Sequence, residues 1–114
     1  AGIGELIEPI PQGPRSIQIG DALIASNAMG QHGSAILCAR ENIRLDPIPT
    51  SDVGSLLPVA EVLRRENVAV RAMRDATRGG IAAVLHEWAK DSSHTMLAFE
   101  KSLPLSPEVR GTCE

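Results

Sequence analysis

The stretch "MRDATRGGIAAVLHEWA" (73–89) constrains this chain most, because it sets two glycines at the head of a helix that must bury one face. Ile81, Val84, Leu85 and Trp88 recur at helical spacing and predict a helix from Thr77 to about Lys90. The β-rich run "VAVRAM" (68–73) before it predicts a buried strand. A strand that turns through Gly-Gly into an amphipathic helix belongs to a layered fold. Only Trp88 and Phe99 carry large rings, so aliphatic side chains and alanine must fill the interior.

The rest of the chain extends that pattern. Residues 1–19 are rich in Pro and Gly, with "EPIPQGPRS" reading as an extended arm. "GDALIAS" (20–26) predicts a strand and "SAILCAREN" (34–42) a short helix opening at Ser34. "IRLDPIPTSD" holds prolines and predicts an irregular connection. Ser55 is placed to cap a helix with Leu56, Val59, Ala60 and Leu63 on one face. "HTMLAFE" (94–100) predicts another strand, and Ser106-Pro107-Glu108 a last helix with Pro at its first position. The expected fold is α+β, a mixed sheet covered by helices, with an arm at 1–19 and a partial domain at 20–114.

Chemistry concentrates where the Gly-Gly helix opens. Backbone N–H groups there lack partners within the helix, and the helix dipole adds partial positive charge. Gly79 and Gly80 let an anion approach the backbone closely. Arg74 and Arg78 offer forked, charge-assisted hydrogen bonds, Thr77 a hydroxyl, and Asp75 a carboxylate to orient an arginine, cap the helix or hold a cation. Two readings stand side by side: an anion site, or a helix capped by Asp75 or Thr77 with solvated arginines.

"GQHG" (Gly30 to Gly33) is a second glycine-flanked loop after a predicted strand and before a helix. His32 within it suits proton transfer or anion contact, or is a surface histidine with no role. The two turns could converge on one cleft. Ser51-Asp52 reads as a helix cap. His86 and His94 are eight residues apart with no carboxylate in register; they read as solvent-side, and no metal site is expected. Cys38 and Cys113 are too few for a disulfide framework and read as reduced, helix-packing side chains.

A net charge of −3 argues against a nucleic-acid surface. The sequence has neither an apolar run long enough for a bilayer nor a signal-peptide pattern, so no membrane association and a cytoplasmic location are expected. Both ends read as cut, as in a piece of a longer protein.

"GDALIASNAMGQHGSAILCARE", "SDVGSLLPVAEVL", "VRAMRDATRGGIAAVLHEWA" and "LPLSPEVRGTCE" together resemble the hydrogenase expression/formation (HypE) family. That family lies in the superfamily of aminoimidazole ribonucleotide synthetase and selenophosphate synthetase. The resemblance runs along nearly the whole chain and matches the first part of the family's C-terminal domain.

It implies a full-length enzyme that uses ATP to dehydrate a thiocarboxamide, carried on a C-terminal cysteine, to a thiocyanate that becomes the cyanide ligand of nickel–iron hydrogenases. ATP and Mg would be bound mainly by an N-terminal domain absent here, with no cofactor expected for the fragment, which would be inactive alone. A homodimer, the carbamoyltransferase HypF and the iron-carrying HypC–HypD complex are the implied partners. On this resemblance Asp75, Arg78 and His32 are catalytic candidates. Thr77, Gly79, Gly80, Arg74, Gly30 and Gly33 are phosphate- or nucleotide-binding candidates.

The sequence also departs from the family. The downstream Asn-Glu-Gly motif and acceptor-cysteine tail are absent, and "PEVRGTCE" matches an internal helix, so Cys113 is not the acceptor. Asn27 stands where Gly is usual, and Gln31 where Asp is common. A selenophosphate synthetase-like enzyme and a non-catalytic dimerisation or binding module remain the alternatives.

Overall fold

The computed structural model describes residues 3–5 and 11–114. Four helices form: α1 (Gln31–Glu41), α2 (Leu57–Arg65), α3 (Gly80–Ser92) and α4 (Pro107–Cys113). Two short 3-10 turns, Pro14–Ser16 and Glu100–Ser102, complete the regular structure among the described residues. The chain divides into two compact units, Ala1–Ala22 with Arg65–Met96, and Leu23–Arg64 with Leu97–Glu114.

In the first unit the Pro14–Ser16 turn packs on α3. Gly13 N–H donates to the Arg71 carbonyl at 3.0 Å, and Ser16 Oγ lies 3.1 Å from the same oxygen. The Arg71 side chain reaches back over the same segment, donating from Nε to Asp21 Oδ1 at 3.1 Å and from its terminal nitrogen to Gln18 Oε1 at 3.0 Å. Val84 is buried at the middle of the α3 face, flanked by half-buried Ile81, Leu85 and Trp88, the stripe that the spacing predicts. Ser93, in the left-handed region at φ 59°, ends the helix, and Ser92 Oγ donates to the Trp88 carbonyl at 2.7 Å.

In the second unit α1 lies against α4. Ser34 and Cys38 of α1 and Val109 of α4 are buried, and Cys38 Sγ sits 3.9 Å from Thr112 Oγ1. α4 opens as its sequence dictates: Ser106 Oγ accepts the Val109 N–H at 3.4 Å and Pro107 takes the first helical position. Ser55 Oγ accepts the Leu57 N–H at 3.2 Å at the start of α2. Leu57, Val59 and Val62 on that helix are nonetheless exposed.

The expected mixed sheet is not there: among the described residues no strand forms, and 20–26, 68–73 and 94–100 are almost wholly irregular. β-rich composition marks a segment that fits a half-buried pleated surface, but a strand exists only when a neighbour takes up its N–H and C=O groups. Among the described residues those neighbours are missing. Val70 N–H donates only to the Val68 carbonyl two residues back, and the Gly13–Arg71 bond stands without a ladder beside it. Leu23, Ile24, Val68, Met73, Leu97 and Phe99 accordingly stay exposed.

Of the expected arm, residues 1–2 and 6–10 lie outside the described residues, and its remainder contains the Pro14–Ser16 turn. Cys113 is a second correction. It is exposed at the end of α4, so only Cys38 packs between helices.

Candidate functional site

The Met73–Gly80 segment leads into α3 through two left-handed glycines, Gly79 at φ 82° and Gly80 at φ 59°. Gly79 is the N-cap, and a Cβ there would sit 2.7 Å from the Ala83 Cβ, so the turn admits no larger residue without rearrangement. Helix α3 starts at Gly80, three residues later than the spacing suggests, because Thr77 contributes its carbonyl and not its hydroxyl: Gly80 N–H donates to Thr77 O at 3.0 Å. No side chain caps α3, which removes the reading in which Asp75 or Thr77 does so. Ala83 N–H donates to Gly79 O at 3.2 Å, while the N–H groups of Ile81 and Ala82 have no backbone acceptor among the described residues.

The two arginines differ. Arg74 forms an ion pair with Glu87 from the second turn of α3. Arg78 is exposed, and no hydrogen bond or ion pair ties it to another described residue; the same holds for the side chains of Asp75 and Thr77. Among the described residues the turn therefore presents one uncommitted guanidinium, one hydroxyl, one carboxylate and two unpaired amides at the positive end of a helix dipole. That set can hold a tetrahedral oxyanion by charge-assisted hydrogen bonds. A nucleotide's phosphates would fit these donors; a metal travelling with it would find only the Asp75 carboxylate here, since the described residues form no group of three or more metal-ligating side chains.

The second glycine turn lies in the other unit. Gly30, the N-cap of α1 at φ 78°, is left-handed, and a Cβ there would press to 3.0 Å on Val109 Cγ1. α1 starts at Gln31, not Ser34, because its first turn is secured from a distance: Asp52 Oδ1 accepts the His32 N–H at 3.1 Å, and Ser34 N–H donates to Gly30 O at 3.0 Å. His32 is exposed, with Nδ1 2.9 Å from Ser51 Oγ. Gly33 lies in the same turn with open space where a Cβ would be. Ser51 and Asp52 thus join the candidate set. The sequence signals a cap at this pair, but not that the helix capped begins twenty residues upstream. His86 is exposed, whereas His94 is half-buried and adds to the field at Asp21.

Residues 18–112 match the family described as "AIR synthase related protein, C-terminal domain". Over 114 residues the chain is 41% identical to "Carbamoyl dehydratase HypE" of Escherichia coli (strain K12), covering 100% of this chain and 34% of that protein. It is 38% identical over 115 residues to "Carbamoyl dehydratase HypE" of Rhizobium leguminosarum bv. viciae, covering 100% of this chain and 33% of the relative. It is 34% identical over 95 residues to "Hydrogenase expression/formation protein HupE" of Azotobacter chroococcum mcd 1, covering 83% of this chain and 28% of the relative. The chain spans about a third of the length of the curated relatives it matches. No solved structure matches it. No helix among the described residues is long and apolar enough to cross a membrane.

Proposed function

The chain belongs to the AIR synthase related protein family, through that family's C-terminal domain, and on that footing we propose that it forms part of an ATP-dependent carbamoyl dehydratase of nickel–iron hydrogenase maturation. The curated relatives' names, carbamoyl dehydratase and hydrogenase expression/formation protein, support the reading. They also weigh against a selenophosphate synthetase-like activity. The substrate is a protein-bound S-carboxamide, and the product a thiocyanate that supplies the cyanide ligand of the iron.

ATP supplies the phosphoryl group that turns the amide oxygen into a leaving group. What this chain contributes is the stabilisation of anionic oxygen. Arg78 neutralises charge; the N–H groups of Ile81 and Ala82, opened by Gly79 and Gly80, donate to the oxygens; the Thr77 hydroxyl adds a donor; and the Asp75 carboxylate, tied to no other described residue, is free to orient Arg78 once the anion is bound. Arg74, paired with Glu87, sets the local field. In the other unit, His32 acts at the head of α1, where Gly30 and Gly33 leave the backbone open. The enzyme works in the cytoplasm as a homodimer, receiving its carbamoyl group from HypF and passing cyanide to the HypC–HypD complex.

The structural observation that supports this role is Arg78, engaged by no other described residue, beside a helix start that no side chain caps. The test is ATP hydrolysis by the full-length protein that carries this segment, with and without carbamoylation of its acceptor cysteine. Carbamoylation-dependent turnover is expected, reduced roughly 10²–10³-fold by Arg78→Ala, the scale for losing one oxyanion donor. Unaltered turnover in that variant overturns the assignment.

A further inference from the structure

His32 is held at both its main chain and its ring. The carboxylate of Asp52 accepts its backbone N–H at 3.1 Å, so that carboxylate is turned to the helix end and not to the imidazole. The ring is met by a hydroxyl, Ser51 Oγ, at 2.9 Å from Nδ1. The same oxygen accepts the Val53 N–H at 3.1 Å. A serine hydroxyl has one proton to give and accepts through its lone pairs. Val53 takes one lone pair of Ser51 Oγ, and among the described residues Nδ1 is the acceptor within reach of the hydroxyl proton; when that proton is given to Nδ1, the neutral ring carries its own on Nε2.

From this geometry we propose that Ser51 is a positioning residue that sets His32 as an Nε2–H donor, fitted to contact an anionic oxygen and not to act as a base through Nε2. The inference rests on the reading of His32 as a working residue, and it narrows that reading. Of the two tasks open to this imidazole, proton abstraction and oxyanion contact, only the second suits a ring whose Nδ1 is occupied and whose Nε2 is protonated. Asp52 supports the arrangement by fixing the turn on which the ring stands. The pairing spans nineteen residues, from the Gly30 turn to the polar turn before α2, so it forms only when the unit is folded.

The experiment is long-range proton–nitrogen NMR of the imidazoles in the ¹⁵N-labelled protein at about pH 8.5, where imidazoles are neutral, with His32 assigned by His32→Gln. Wild type is expected to hold the Nε2–H form alone. Ser51→Ala should lose that purity and give the averaged nitrogen shifts of a free, exchanging imidazole, and Ser51→Thr, which keeps the hydroxyl, should restore it. An Nδ1–H ring in wild type, or spectra of His32 unchanged by Ser51→Ala with the remaining amide signals intact, overturns the inference. If Ser51→Ala does not fold, the wild-type tautomer and the threonine variant still decide it. The readout needs no turnover, so failure here is distinct from failure of the dehydratase reading.

Discussion

Arg74 and Glu87 form an ion pair thirteen residues apart, and that pairing leaves Arg78 as the uncommitted guanidinium of the turn before α3. Both partners of the pair are about half exposed, so it is worth only roughly 0.2–1 kcal/mol. Glu87→Ala should therefore leave unfolding by urea almost unchanged. It should also free Arg74 and remove a negative charge, tightening phosphate binding at the turn. Weaker phosphate binding in this variant would contradict the division of labour between the two arginines.

Gly79 and Gly80 should differ in their tolerance of a side chain. At Gly80 a Cβ meets open space, and alanine carries only the left-handed backbone penalty of roughly 1–2 kcal/mol. At Gly79 the same penalty is joined by contact with Ala83 at 2.7 Å, adding roughly 1–3 kcal/mol of overpacking. Denaturant midpoints should rank wild type above Gly80→Ala and Gly80→Ala above Gly79→Ala; the reverse order for the two variants would refute the turn geometry.

Asp52→Ala removes the group that secures the first turn of α1 from twenty residues away. Loss of a capping carboxylate costs about 1 kcal/mol. The expected result is faster hydrogen exchange at the His32 amide, with Asp52→Asn intermediate. Exchange at wild-type rate in Asp52→Ala would mean that the cap does not form in solution.

Two carboxylates contribute to the acid limit. The Gln18 N–H, followed by the Arg71 guanidinium, holds Asp21 below its ordinary 3.8; the Ser106 hydroxyl, followed by its own backbone N–H, holds Glu108 below its ordinary 4.5. In both, the folded value lies under the unfolded one. The stabilisation is thus complete above the unfolded values and disappears as pH falls through the folded ones. Unfolding free energy should decline with acidification below about pH 4.5, and Asp21→Asn with Glu108→Gln should flatten that decline. An unchanged slope in the double variant would show that neither contact persists in solution.

The helices were readable because their signals are local. The Ile81, Val84, Leu85, Trp88 stripe and the Ser106-Pro107 start each depend on residues within two turns, and both appear as expected. The strands were misread because "VAVRAM" states a preference for a pleated surface without stating who would pair with it, and pairing is non-local. The site divides the same way. Composition reads the Gly-Gly turn as anion-receptive for want of a Cβ; that both glycines take the left-handed conformation is seen only in the fold. That Glu87 would engage Arg74, and that Asp52 would cap α1, depends on contacts thirteen and twenty residues away that no local pattern encodes.

The central claim, that the turn before α3 holds an oxyanion through Arg78 and the open amides behind Gly79 and Gly80, is tested most directly by titrating the protein with inorganic phosphate while following the backbone amides of residues 79–82. Saturable shifts at these amides are expected in wild type and should vanish in Arg78→Ala, a substitution at an exposed side chain that no other described residue engages. Amides that stay silent in wild type, or shift equally in both proteins, would contradict it.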